Sequence, residues 1–447
     1  MKILSNSLLK YSGIDRAVFY TIIQRTWSII AGLLTLVMIA YYLSAEEQGF
    51  YYTFASVLAL QVFFELGLTS VILSFASHEM GDLKWINGKL EGNTHSKARL
   101  ASLLCFIIKW YRIITILFFL VLLLGGIFFF ERIEQNVEWK IPWIWLVFST
   151  ACVLFITPFF SLIEGCGLVA EVALIRTLQS VAGFTLLWFG LYQEAGLLAV
   201  SFLSMTKFII GVSWLILKYR NFFLNLILTY SNTSAVISWK QEIWPLQWKI
   251  ALSWLSGYFI FHLFNPVMLA YYGPVAAGQM GMSLSIVSAL STVSIIWIST
   301  KAPIFGKLIA QRKFTELDKI FFHNLWISFS VSIVGAITLL GLVYFLQTIN
   351  HPVSHRILDF SSFTVLIINA TVSNIVFAEA IYLRAHKQEP FLITSIIMGF
   401  LICLSTLFIG KNYGAFGIVM GYFMINLFIG LGLGTKIFYK KRRLWHT

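Results

Sequence analysis

Nine side chains able to hold a charge, a proton or a hydroxyl-rich ligand interrupt stretches that otherwise read as lipid-soluble: Gln24, Arg25, Gln61, Glu65, Lys207, His262, Asn369, Asn374 and Glu379. An ionisable group at bilayer depth is costly, so it faces a partner, a water-filled cavity or a ligand. Thr21, Arg25, Ser28, Gly32 and Thr35 recur at steps of four and three, one face of a helix, with Gln24 alongside. Gln61, Glu65 and Thr69 form a second stripe at steps of four. Arg25 and Glu65 lie at nearly equal distances on either side of a turn near residues 45–46, which predicts one depth and an ion pair, either a structural lock or part of a cavity. Lys207, with Ser201, Ser204 and Gly211 on its face, is central in its apolar segment and has no acidic helical neighbour. An unpaired ammonium there suits an anionic ligand better than a lysine snorkelling to an interface.

His262 lies between Tyr258 and Asn265-Pro266, where a proline is expected to kink the helix; it is a candidate proton carrier or a hydrogen-bonded core histidine. Glu379, at the end of its segment, faces either water or a cavity. Asn369, Ser373 and Asn374 read as sugar-facing hydrogen bonders or as contacts between helices. The serines of 278–300 read as close helix packing. Catalytic constellations are absent from the sequence: no Gly-rich phosphate loop, no His/Cys set at ligand spacing, and no outer loop long enough for paired carboxylates. No cofactor is expected, and any coupling ion would be H+ or Na+.

The elements that must position these groups are membrane helices. The chain of 447 residues is 59% hydrophobic and 11% charged, against about 25% charged in an ordinary soluble domain. Twelve segments are apolar enough to span: 17–43, 49–78, 110–130, 141–163, 168–190, 196–218, 250–272, 278–300, 323–349, 357–383, 390–410 and 414–438. An internal repeat relates the halves, with Met38, Ala40, Tyr41, Tyr42, Val57, Ala59 and Leu60 identical to Met268, Ala270, Tyr271, Tyr272, Val287, Ala289 and Leu290. Six spans per half predict an all-α membrane protein of two six-helix lobes, 1–232 and 233–447, related by a pseudo-two-fold along the membrane normal. Placing both termini in the cytoplasm puts 26 of the 32 Lys and Arg inside, and this explains the net charge of +13 without nucleic acid. The linker 219–249 joins the halves, and its Trp-rich part, 238–249, is expected to form an interfacial helix. The N-terminal residues lack a cleavable-signal pattern, so the first apolar segment is expected to remain as a span. Cys105, Cys152, Cys166 and Cys403 read as small core residues.

The turn Leu43-Ser-Ala-Glu-Glu-Gln-Gly-Phe-Tyr51, followed by Phe63-Phe-Glu-Leu-Gly-Leu68, resembles the polysaccharide (Wzx-type) flippases of the multidrug/oligosaccharidyl-lipid/polysaccharide (MOP) exporter superfamily. Glu65 stands where that family often has an aspartate. Glu164-Gly-Cys-Gly167 and Ala195-Gly-Leu-Leu-Ala199 add to the likeness, which covers nearly the whole chain. The resemblance implies a polyprenyl-pyrophosphate-linked oligosaccharide as substrate, an O-antigen, capsule or exopolysaccharide unit. It would pass from the cytoplasmic to the outer leaflet of a bacterial inner membrane by alternating access. Arg25 and Lys207 would attract pyrophosphate or acidic sugars, with Gln24, Gln61, Asn369 and Asn374 toward the glycan and Glu65, His262 and Glu379 for coupling or gating. Partners would be membrane lipids and the glycan polymerase machinery. The rival readings are a MATE-like drug/cation antiporter, expected to be more acidic in its cavity, the peptidoglycan-precursor flippase, which typically has fourteen spans, and a membrane glycan polymerase or acyltransferase. A structural scaffold ranks last, since it needs no charge at mid-span.

Overall fold

Apolar runs in lipid must satisfy every backbone polar group internally, and the helix does this within one segment. The computed structural model describes residues 16–86, 89–133, 137–230, 237–386 and 388–446, and it is almost wholly helical. Among the described residues eight helical segments are long and apolar enough to cross a membrane, nine with one bent pair. Leu217, Tyr413 and Ile393 are largely exposed, the reverse of a water-soluble surface and as expected where lipid is the solvent. The chain is a multi-pass membrane protein.

By its internal contacts the chain divides into two units: residues up to Met38 with Leu60–Ala251, and Ile39–Ala59 with the residues from Leu252 onward. A short piece of the first half, Ile39–Ala59, thus groups with the residues from Leu252 onward.

The first unit holds helices α1 (Arg16–Tyr42, to Met38), α3 (Gln61–Glu65), α4 (Leu68–Glu79), α5 (Thr94–Phe130), α6 (Lys140–Gly165), α7 (Val169–Tyr192) and α8 (Ala199–Tyr230). Leu66 (φ 50°) and Gly67 (φ 68°) are both left-handed and separate α3 from α4, with a bend of 46°. A side chain at 67 would also collide with Ile250, its Cβ 2.3 Å from Cγ2. A short antiparallel hairpin, β1 (Leu83–Ile86) with β2 (Lys89–Gly92), follows α4. It is fastened by Trp85, whose indole donates to the Cys166 carbonyl at 2.8 Å and packs on Phe222. The segment 238–249 is not a separate interfacial helix. A π-type turn, Trp239–Ile243, runs directly into α9 (Trp244–Phe261). Arg99 on α5 clamps that turn, bonding Glu79 at 2.7 Å and Glu242 at 2.5 Å.

The second unit holds α2 (Ala45–Leu58), α10 (Phe264–Ser299), α11 (Ala302–Ala310), α12 (Phe314–Thr348), α13 (Phe360–Ala385), α14 (Leu392–Ile425) and α15 (Gly434–His446), with most of α9. Ser44 and Glu47 start α2 with a capping box: the Ser44 hydroxyl accepts from the Glu47 N–H at 3.0 Å, and the Glu47 carboxylate from the Ser44 N–H at 2.8 Å. Helix α2 packs closely on α10 because glycines remove the intervening atoms; a Cβ at Gly281 would lie 2.2 Å from the Tyr52 ring. That fit explains why Ile39–Ala59 groups with the second unit. Between the segments expected at 250–272 and 278–300, and between those at 390–410 and 414–438, α10 and α14 each carry one left-handed glycine, Gly273 (φ 82°) and Gly414 (φ 61°). At the other end of this unit Phe305, Phe321, Tyr382 and Phe438 form a small core joining α11, α12, α13 and α15. Arg442 closes it with a bidentate pair to Asp318 at 2.6–3.0 Å, and the Tyr382 hydroxyl donates to the same carboxylate at 2.8 Å.

Candidate transport site

In the first unit the break after α3 fixes Glu65. Its buried carboxylate accepts from the Thr69 hydroxyl at 2.5 Å and, at 3.4 Å, from the Gln61 amide. Thr69 reaches it from the first turn of α4, so the two left-handed residues place a hydroxyl over the acid. The Arg25 side chain lies outside the described residues, as does Thr21, and with it the expected Arg25–Glu65 pair. Gln24 is half-buried, and its backbone carbonyl accepts from Ser28. The far end of that stripe serves packing: Thr35 is buried and accepts from the Trp188 indole of α7 at 2.9 Å.

Lys207 sits half-buried on α8. Among the described residues no carboxylate comes within ion-pair distance of it. Its backbone is pinned by the Gln179 amide of α7, which donates to the Lys207 carbonyl at 2.7 Å. Gly211, one turn on, lets Gln179 approach; a Cβ there would lie 2.8 Å from Nε2. Ser201 bonds the Leu198 carbonyl and offers no hydroxyl proton to a ligand. The arrangement fixes the backbone at Lys207 and leaves its ammonium without a carboxylate in ion-pair distance among the described residues.

In the second unit His262 stands at the break between α9 and α10, exposed, its ring stacked on Tyr258 at 5.9 Å. Pro266 does not kink a helix. It lies in the first turn of α10, where a missing N–H has no partner to lose. Its neighbour Asn265 is buried and donates to Ser56 of α2 at 3.1 Å. Asn369 and Asn374 are buried between helices. Asn426 donates to the Asn369 side chain at 2.7 Å and to Ser373 at 2.8 Å, and Asn374 reaches Ser328 at 3.4 Å. Asn369 also lines a 280 Å³ cavity with Phe261, Phe264, Phe377 and Tyr422. Glu379 is buried and accepts from Thr435 at 3.3 Å.

The structure thus adds groups to those the sequence singles out. Asn426 organises the polar cluster of the second unit. Arg356 donates to the Leu43 carbonyl at 2.8 Å and bonds Gln48, whose amide in turn donates to Gly278. No set of three or more His, Cys, Asp or Glu among the described residues could hold a metal ion.

The same arrangement of helices occurs in an inward-facing multidrug resistance MATE family transporter of the MOP superfamily, with a TM-score of 0.66 over 94% of this chain and 95% of that one, at 13% identity. The fold is that of the MOP-superfamily transporters. The lipid II flippase MurJ, in an inward closed conformation, aligns with a TM-score of 0.64 at 14% identity, covering 94% of this chain and 89% of MurJ. A MOP-superfamily transporter from Pyrococcus furiosus aligns at 0.57 and 13% identity over 97% and 96% of the two chains; the reversed polarity of its binding pocket is taken to suggest a different function. By sequence, no protein-family model and no curated protein matches the chain. The fold thus occurs both in a multidrug resistance transporter and in a lipid II flippase.

Proposed function

We propose that this chain is a flippase for a polyprenyl-pyrophosphate-linked oligosaccharide, moving it from the cytoplasmic to the outer leaflet of a bacterial inner membrane by alternating access. Lys207 carries the reading: a cation within the apolar segment of α8, with no carboxylate in ion-pair distance among the described residues, favours an anionic cargo. Arg25, also within a span, would add to it. The glycan is an O-antigen, capsule or exopolysaccharide unit, both termini are cytoplasmic, and a glycan polymerase takes the product. Glu65, Glu379 and His262 are the candidates for coupling to H+ or Na+. The likeness of the fold to that of the lipid II flippase MurJ supports this reading.

A drug/cation antiporter is the second reading. The aromatic-lined cavity with Phe261, Phe264, Phe377 and Tyr422 favours it, together with two buried carboxylates bonded only to neutral donors among the described contacts. Proteoliposomes decide between them. The flippase should bring a lipid-pyrophosphate-linked oligosaccharide within reach of a non-permeant lectin, and Lys207→Ala should slow this about tenfold or more, the effect of losing one charge-assisted contact. Uptake of a cationic dye with no movement of the glycan lipid would overturn the flippase in favour of the antiporter.

A further inference from the structure

At the end of the second unit that carries the glycine turns lies a cavity of about 450 Å³, within the usual range for small-molecule sites, about 300–1,000 Å³. Its polar lining includes Tyr272, Gln279, Gln347, Asn350, His355 and Asp359, and no Lys or Arg lines it. We propose that this cavity binds a neutral sugar ring, a hexose or N-acetylhexosamine, as an outer subsite for the glycan. The assignment to the outer face rests on the flippase reading above.

The chemistry of the lining selects that ligand. Three amides, an imidazole, a phenol and one carboxylate offer donors and acceptors side by side, which is what vicinal hydroxyls require, each being both donor and acceptor. A pyrophosphate would meet Asp359 with no cation in the lining to offset it, and a polyprenyl chain would leave the amides without partners.

The groups are held in place before any ligand arrives. Gln279 donates to the His355 carbonyl at 3.0 Å, which fixes its amide and leaves the acceptor oxygen. Asp359 caps α13 through Oδ2, accepting from the Ser361 hydroxyl and from the Ser362 N–H at 3.0 Å, and this leaves Oδ1. The Tyr272 hydroxyl donates to the Lys411 carbonyl at 3.0 Å. Its ring also lies so close to Gly414 that a Cβ there would come within 3.2 Å, and the ring is thereby fixed as a flat apolar surface. Asn350 is left-handed at φ 55°, a conformation asparagine tolerates. Arg356, bonded to Leu43 and Gln48, anchors the loop that carries Asn350, His355 and Asp359. Preorganised polar groups of this kind lower the ordering entropy of binding a flexible, well-hydrated sugar.

The test is direct binding to the full chain in nanodiscs, read by saturation-transfer NMR with maltotriose and N-acetylglucosamine as probes and inorganic pyrophosphate as the control. The double variant Gln347→Ala, Asn350→Gly removes two amides while glycine keeps the left-handed backbone; its unfolding temperature should match the wild type. At least one sugar should bind the wild type, and the variant should bind it about tenfold more weakly, the effect of two lost hydrogen bonds. No sugar signal on the wild type, equal signals on both proteins, or displacement of the sugar by pyrophosphate would overturn the proposal. Movement of glycan lipid by the wild type in proteoliposomes is scored separately, so a failed flippase and a failed sugar site give different results.

Discussion

Replacing Gly49 by alanine tests the packing on which the second unit depends. A Cβ at Gly49 would lie 1.9 Å from the Pro274 carbonyl oxygen and 2.5 Å from its carbon, both backbone atoms that cannot rotate away. Restoring even a tight 3.0 Å contact requires α2 and α10 to part by about 1.1 Å, with overpacking of this kind costing about 1–3 kcal/mol. Such a shift would stretch the bond from the Gln48 amide to Gly278, now 2.9 Å, beyond hydrogen-bonding range. Gln48 is only 1% exposed, but its amide also donates to the Arg356 carbonyl at 3.1 Å, so losing one of its two partners costs about 0.5–1.5 kcal/mol more. Against this stands the helix-propensity gain of alanine, about 1 kcal/mol. The net is about 0.5–3.5 kcal/mol of destabilisation, a fall of about 1–14 °C in unfolding temperature for a unit of this size. The assay is thermal unfolding in nanodiscs beside Gly341→Ala on α12, where nothing lies within 4 Å of the new Cβ and the temperature should hold or rise slightly. Equal temperatures for the two variants would refute the close approach of α2 to α10.

Asn426→Ala should lower stability by about 1–3 kcal/mol, because Asn369 and Ser373 lose their shared donor in a buried place; Asn426→Asp retaining full stability would show that no donor is needed. Burial opposes ionisation of Glu242, but the bond from the Arg99 guanidinium outweighs it and holds the carboxyl below its ordinary value. A lowered folded-state pKa contributes stability above the unfolded value, about 4.3, and loses it as pH falls through the lower folded one. The protection of the 237–243 amides, taken relative to their intrinsic exchange rate at each pH, should therefore fall on acidification below about pH 4.3, and Arg99→Ala should abolish this dependence. An unchanged profile in Arg99→Ala would remove the clamp from the explanation.

Local features of this chain are legible in its sequence because they depend on near neighbours. Ser44 and Glu47 are three residues apart, and the capping box they form needs nothing else. Between the segments expected at 250–272 and 278–300, and between those at 390–410 and 414–438, the helices kink at Gly273 and Gly414, because glycine takes a left-handed backbone without steric cost. The Asn87-Gly88 dipeptide between Trp85-Ile86 and Lys89-Leu90 is a hairpin signal that a search tuned to apolar spans passes over. What the sequence conceals is partnership at long range. Asn426 stands more than fifty positions from Asn369 and Ser373, and Arg356 more than three hundred from Gln48. Nothing in helical periodicity connects such pairs. Pro266 misleads for the opposite reason: a proline signals a break, but the break falls at His262–Leu263 and the proline begins the next helix. Lys207 is legible as an isolated cation, while the glutamine that pins its backbone, Gln179, is recognisable only once α7 lies against α8.

The bond from Gln48 to Gly278 joins two positions 230 residues apart, the same interval that separates the repeated motifs. Each therefore touches its own counterpart, as residues do across the two-fold of a symmetric homodimer. Two identical chains would make this contact less well, since a glutamine at both positions would put a Cβ at the acceptor 3.0 Å from the Gly49 nitrogen. Covalent fusion of the halves lifts that restriction. This close seam is thus a place where the two copies of the repeat differ in role, one as donor and the other as acceptor, and a separately expressed pair of identical halves should pack it less closely.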